Sequence, residues 1–120
     1  MAWTAEFVAE FESEFDELPQ AVQDELLAKL ALLEQLGPHL GRPTVGTLNG
    51  SKHANMKEMR FESSGGIWRV AFAFDPRRIA LLLAAGDKSG TSERRFYRQL
   101  IAKADRRIAK HLSRINTRRS

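Results

Sequence analysis

Between residues 56 and 87 the chain reads MKEMRFESSGGIWRVAFAFDPRRIALLLAAGD, three runs rich in aromatic and aliphatic residues with a turn signal in each gap. The first signal is Ser64-Gly65 and the second is Asp75-Pro76-Arg77-Arg78, both built from residues that favour tight turns. Because strand side chains alternate between faces, each turn also sets which residues share a face. A turn centred on Ser64 and Gly65 puts Arg60 across from Arg69 and Phe61 across from Trp68. A second turn over 75–78 puts Phe74 opposite Ile79 and Ala84 opposite Arg69. In that register Met59, Phe61, Trp68, Val70, Phe72, Phe74, Ile79, Leu81, Leu83 and Ala85 form a core face. The other face collects Glu58, Arg60, Arg69, Ala71, Ala73, Ala80, Leu82 and Ala84, which reads as a shallow, open floor beside a charged cluster.

The flanking segments are helical or irregular. Phe7, Phe11, Phe15 and Leu18 recur at helical spacing, while residues 3–8 also suit a short strand, so the opening is two helical pieces or a strand and two helices. Pro19 separates them, and Val22, Leu26, Leu30 and Leu33 mark a helical stripe over 20–36, widened by Leu27 and Ala31 and stopped by Gly37-Pro38. Residues 37–55 hold Gly37, Pro38, Gly41, Pro43, Gly46 and Gly50, the composition of a loop. After a second loop, Thr91 or Ser92 can cap a last helix whose stripe is Phe96, Leu100, Ala104, Ile108, Leu112 and Ile115. Its other side carries Arg94, Arg95, Arg98, Lys103, Arg106, Arg107 and Lys110, and residues from about 113 to 120 read as a frayed basic tail. The expected class is α+β, in one domain spanning 1–120.

Charge is divided along the chain. Residues 1–36 hold nine acidic residues and one lysine, net −8, and residues 37–120 carry net +12. Such asymmetry suits a nucleic-acid partner for the basic part or, more plainly, two solvated faces of opposite sign. There is no cysteine, no basic leader and no run of about 20 apolar residues, so the expectation is a cytoplasmic protein without disulfides, signal peptide or membrane span. His39, His53 and His111 lack ligand spacing, so neither metal nor cofactor is expected, and the loop GSKHANM lacks the pattern of a phosphate-cradling P-loop.

Two arginines facing each other on a sheet are unfavourable by a few tenths of a kcal/mol. Their neighbourhood offers a use for them. Glu58 lies on the same face, Lys88 follows the strand that borders Arg69, and Tyr97 is one turn into the last helix. Guanidiniums grip phosphate oxygens through two hydrogen bonds and remain charged, which suits a phosphodiester whose phosphorus gains negative charge during transesterification. An RNA 2′-hydroxyl can attack the adjacent phosphate without metal if one group takes its proton and another serves the leaving 5′ oxygen. Glu58 is the candidate acceptor, Lys88 serves the leaving oxygen with Arg69 as the alternative, and Tyr97 orients the ribose or stacks on a base. Arg60, Arg94, Arg95, Arg98 and Lys57 are candidate substrate-binding cations.

The order of elements, with LGRPTVGTLNGSKHANMKEMRF, WRVAFAFDPRRIALLL and AAGDKSG, resembles the RelE/ParE superfamily of type II toxin–antitoxin toxins, in particular its HigB-like, phage Gp49-related branch. The similarity runs from Trp3 to about Leu112. It implies a compact microbial-RNase-like fold: an antiparallel-rich sheet, two N-terminal helices on one side and a C-terminal helix. It also implies cofactor-free cleavage of messenger RNA on the ribosome, silenced by a cognate antitoxin such as a HigA-type helix-turn-helix protein. By this resemblance Arg69 matches the family's phosphate-binding strand arginine, Lys88 the basic residue after the last strand, and Tyr97 the aromatic on the final helix. Several relatives have lysine where this chain has Glu58. Lys57 falls on the core side of the register, and a local bulge would be needed to bring it round.

Two rivals stand beside the nuclease. ParE-like members inhibit DNA gyrase by binding, and a non-catalytic RNA-binding module would need only the basic last helix. That helix can equally receive an acidic antitoxin segment or simply face water. Trp68, Phe72 and Phe74 share the parity of the core rather than that of a base-stacking platform.

Overall fold

The computed structural model describes residues 3–88 and 90–119. Strand β1 (Thr4–Phe7) opens the chain, followed by helices α1 (Ala9–Asp16) and α2 (Gln20–Leu36) and a 3₁₀ turn at Gly37–His39. Then come β2 (Val45–Thr47), β3 (Lys57–Ser63), β4 (Gly66–Phe74), β5 (Ile79–Asp87) and the long helix α3 (Glu93–Arg119). The five strands form one sheet in the order β1-β5-β4-β3-β2. All neighbours are antiparallel except β1 and β5, which run parallel. Of the two readings of the opening segment, the strand followed by two helices is the one adopted. Phe7 stacks on Phe11 and Phe15 at centroid distances of 5.3 and 4.9 Å, which anchors α1 to the end of β1.

The first hairpin has the expected register, with Arg60 across from Arg69 and Phe61 across from Trp68. The second differs. Asp75 N–H donates to the Ile79 carbonyl and Arg78 takes φ +68°, so three residues rather than four cap the hairpin, and Phe74 pairs with Ala80 instead of Ile79. That one-residue slip puts Leu82, not Leu81, across from Phe72. A bulge at Leu83 then moves the ladder by one more residue, and Gly86, not Ala84, faces Arg69.

The alanine floor is not open. Ala71, Ala73 and Ala84 are all at most 1% exposed, and α3 lies over β4 and β5 with Phe96, Leu100, Ala104 and Ile108 buried. The slipped register pairs Ala80 with Phe74 and so moves it, contrary to expectation, to the opposite face. Small residues there let the helix backbone approach closely, and its apolar stripe supplies the second half of the core. The opposite face, with Met59, Phe61, Val70 and Phe72, packs beneath α2, whose Val22, Leu26 and Leu33 are buried. Leu27, counted in the widened stripe, is 48% exposed.

Segment 37–55, expected as loop, contains the 3₁₀ turn and β2, which pairs Gly46 with Glu58. Ser92 caps α3 by accepting a hydrogen bond from Arg95 N–H at 3.2 Å. The helix backbone continues to Arg119, through most of the segment expected to fray; Ser120 lies outside the described residues. Arg107, placed by sequence on the solvated face of α3, is 7% exposed. It forms a two-pronged pair with Glu14 at 2.8 and 2.7 Å and donates to the Leu83 carbonyl at 2.7 Å. The bulge leaves Leu83 without a partner on β4, and the guanidinium takes its carbonyl. Lys110 reaches Glu10 at 3.2 Å and Lys103 reaches Glu14 at 3.7 Å, so part of the charge division is an internal match between α1 and α3.

Candidate functional site

Glu58 is the hub of the charged cluster. The Tyr97 hydroxyl donates to its Oε1 at 2.9 Å, and the Arg60 Nε meets the same oxygen at 2.9 Å. The Arg69 Nε stands 3.8 Å from it, close enough for an ion pair and too far for a hydrogen bond. One carboxylate therefore lies between the two cross-strand guanidiniums and offsets their repulsion. The carboxylate itself is mostly covered, with its side chain 11% exposed.

Arg69 does not reach into solvent. It is 2% exposed, its Cζ lies 5.6 Å from the ring centroids of both Phe96 and Tyr97, and its NH1 donates to the Ile67 carbonyl at 3.3 Å. Gly86 opposite makes room for this packing, since a Cβ there would come within 3.1 Å of the Phe96 ring. Arg69 thus sits behind Glu58 as a fixed charge, not at the surface as the sequence suggested. The physical reason is α3, which covers the face that the alanines seemed to leave bare.

Burial raises the Tyr97 phenol above its ordinary pKa, and the bond to Glu58 and that residue's negative charge push it further, against a smaller opposite pull from Arg69. The phenol keeps its proton at neutral pH and acts as a hydrogen-bond donor.

In front of Glu58 opens a cleft of about 400 Å³, lined by Arg42, Gly46, Thr47, Asn49, Arg60 and Tyr97 among others. Arg42 was not singled out by sequence reasoning. Its only signal was a cation set between Gly41 and Pro43 in a segment whose composition spelled loop.

None of the remaining candidates lines this cleft. Lys88 pairs with Glu93 at 3.9 Å and is 43% exposed. Lys57 pairs with Phe72 in a β3 ladder that runs unbroken to Ser63, so it stands on the face opposite Glu58 and no bulge brings it round. Arg94, Arg95 and Arg98 are exposed on the first two turns of α3, the helix that carries Tyr97. His53 is held in its loop by a backbone bond to Ser51 Oγ at 2.9 Å and does not line the cleft. Among the described residues no three His, Cys, Asp or Glu side chains gather as a metal-binding group, and no helix is long and apolar enough to cross a membrane.

Comparison with known proteins adds a lineage. The family described as "Phage derived protein Gp49-like (DUF891)" matches residues 13–109. A Mycobacterium tuberculosis (strain ATCC 25618 / H37Rv) protein named "Putative toxin HigB2" is 40% identical over 114 residues, covering 94% of this chain and 56% of that protein. A second from the same organism, "Putative toxin HigB3", is 50% identical over 76 residues, covering 63% of this chain and 64% of that protein. The matched regions span less than two thirds of the length of these curated relatives. Among solved structures, a double arginine-to-alanine variant of the E. coli toxin RelE in its free state aligns with a TM-score of 0.61 at 17% identity, over 86% of this chain and 97% of that one. At that identity the likeness concerns the fold: the five-stranded, mostly antiparallel sheet and its helices are those of RelE.

Proposed function

This chain belongs to the Gp49-like family of phage-derived proteins, and on that footing we propose that it is the toxin of a type II toxin–antitoxin pair, an endoribonuclease that cuts messenger RNA on the ribosome. The observation that carries the proposal is the Glu58 carboxylate, fixed by Tyr97 and Arg60 at the inner wall of a cation-lined cleft. The fold shared with RelE and the toxin names of the sequence relatives support it.

The reaction supplies its own nucleophile. The substrate 2′-hydroxyl attacks the adjacent phosphorus while its proton passes to the Glu58 carboxylate. The O2′–P bond forms and the P–O5′ bond breaks, giving a 2′,3′-cyclic phosphate and a 5′-hydroxyl end. Arg60 at the rim binds the phosphoryl oxygens as their charge grows. Arg69, 3.8 Å behind the carboxylate, acts by positioning: its charge holds Glu58 in place. Lys88 is our donor to the leaving oxygen, because its exposed pair with Glu93 is weak and leaves the ammonium free to move. No metal enters these steps. Arg94, Arg95 and Arg98 are proposed to hold RNA phosphates further along the strand, and a HigA-type antitoxin in the cytoplasm to silence the protein.

The experiment is a brief pulse of expression followed by mapping of RNA 5′ ends. Codon-phased cuts confined to translated messages are the expected result. Intact messages with blocked DNA supercoiling would instead place the chain with gyrase inhibitors.

A further inference from the structure

β2 and β3 bring Gly46 directly across from Glu58, and residues paired in this way point to the same face. Any side chain at 46 would project over the Glu58 carboxylate and fill the cleft. Glycine leaves that volume to Arg42. The Arg42 Cζ and NH2 lie 3.6 Å, and its Nε 3.9 Å, from where a Gly46 Cβ would be, so the guanidinium lies along the Gly46 backbone.

Its base is held firmly. The Gly41 carbonyl accepts from Thr44 N–H at 3.1 Å and Val45 N–H at 3.0 Å, and the Thr44 carbonyl accepts from Arg60 N–H at 2.8 Å. The turn that carries Arg42 is thereby tied to the strand residue that carries Arg60. Two guanidiniums line the cleft that holds Glu58, Arg60 from β3 and Arg42 from the turn that leads into β2.

We infer that Arg42 is a substrate-contacting residue, a second guanidinium for the RNA phosphate at Glu58, and that Gly46 is the residue whose missing side chain admits it. This deepens the nuclease reading and rests on it for the identity of the ligand. A planar fork set against a flat backbone is pre-organised for two-point contact with phosphoryl oxygens, which a lysine cannot reproduce.

The test uses a short single-stranded RNA made unreactive by 2′-deoxy substitution, titrated by fluorescence anisotropy at several salt concentrations, with cleavage of the all-ribose message on ribosomes measured in parallel. Arg42→Ala is expected to weaken binding about tenfold and to lower the slope of log affinity against log salt by about 0.7, the value for one lost contact to a single strand. Arg42→Lys should restore the slope but not the full affinity. Gly46→Val should weaken binding with unchanged melting temperature, because it fills the cleft without removing a charge. If wild type cleaves and Arg42→Ala binds with unchanged affinity and slope, Arg42 has no such role while the nuclease reading stands. If wild type binds RNA through Arg42 yet cuts nothing, the inference stands and the nuclease reading falls. If only an acidic peptide, and no RNA, is bound through Arg42, the cleft is a protein-docking site and the inference is overturned.

Discussion

The Tyr97 hydroxyl and the Glu58 carboxylate meet at 2.9 Å across 39 residues of sequence, joining α3 to β3 at the inner wall of the cleft. Tyr97→Phe keeps the ring against Arg69 and deletes this bond. Stability should fall by about 1 kcal/mol, since Arg60 still serves the carboxylate. The raised phenol pKa sets the pH window. The bond contributes fully below the ordinary tyrosine value of 10.0 and is lost as pH rises through the higher folded value. The melting-temperature gap between wild type and Tyr97→Phe is therefore expected to stay constant from neutral pH to about 9 and to close only above 10.

Arg107 ties α1, α3 and the bulge together. Arg107→Ala strips the Leu83 carbonyl and the Glu14 carboxylate of their partner. Glu14 is 39% exposed and can return to water, so the expected cost is about 2 kcal/mol, below that of a fully buried pair. The Lys110 and Glu10 pair is more exposed, and Lys110→Ala should cost under about 0.5 kcal/mol. Urea midpoints of the two variants decide whether burial or mere charge pairing governs this contact.

Gly37 ends α2 at φ +53°, and a Cβ there would fall 2.3 Å from the Trp3 indole. Gly65 has φ +78° with nothing near its Cβ position. Gly65→Ala should thus show only the backbone cost of about 1 kcal/mol, while Gly37→Ala adds a steric clash and should lose about 3 kcal/mol or more. Thermal melts of the pair separate the two effects.

Asp75 closes the second hairpin. Burial pushes its carboxyl up, but hydrogen bonds from Ile79 N–H, the Arg77 side chain and backbone and His111 outweigh it and leave the pKa below the ordinary 3.8. A depressed carboxyl stabilises the fold above 3.8, and that contribution is lost as pH falls through the lower folded value. Asp75→Asn should be less stable than wild type at neutral pH, and the gap between the two melting curves should narrow as pH falls below 3.8.

The sequence disclosed the first hairpin because a two-residue turn at Ser64-Gly65 admits only one register, and with it the Arg60–Arg69 pair. The second hairpin was legible only as a hairpin. Whether Arg78 takes a left-handed conformation decides the loop length, and neither that nor the bulge at Leu83 leaves a mark in residue type. The covered alanine floor could have been deduced, since a 27-residue helix with an apolar stripe needs an apolar bed. The burial of Arg107 could not, because its partner Glu14 is 93 residues away. Glu58 and Tyr97 were read together from strand parity and helix position, whereas Arg42 depended on β2, which glycine and proline disguised as loop.

Glu58→Gln tests the central claim most directly, because it keeps the size of the side chain and its bond from Tyr97 while abolishing the proton acceptor. Single-turnover cleavage of a defined message on programmed ribosomes, measured below the variant's lowered melting temperature (Arg60 and Arg69 lose the charge between them), should fall by about 10²–10⁴-fold with undiminished message binding, and wild-type products should end in 2′,3′-cyclic phosphate. A Glu58→Gln variant that cuts within twofold of wild type would contradict it.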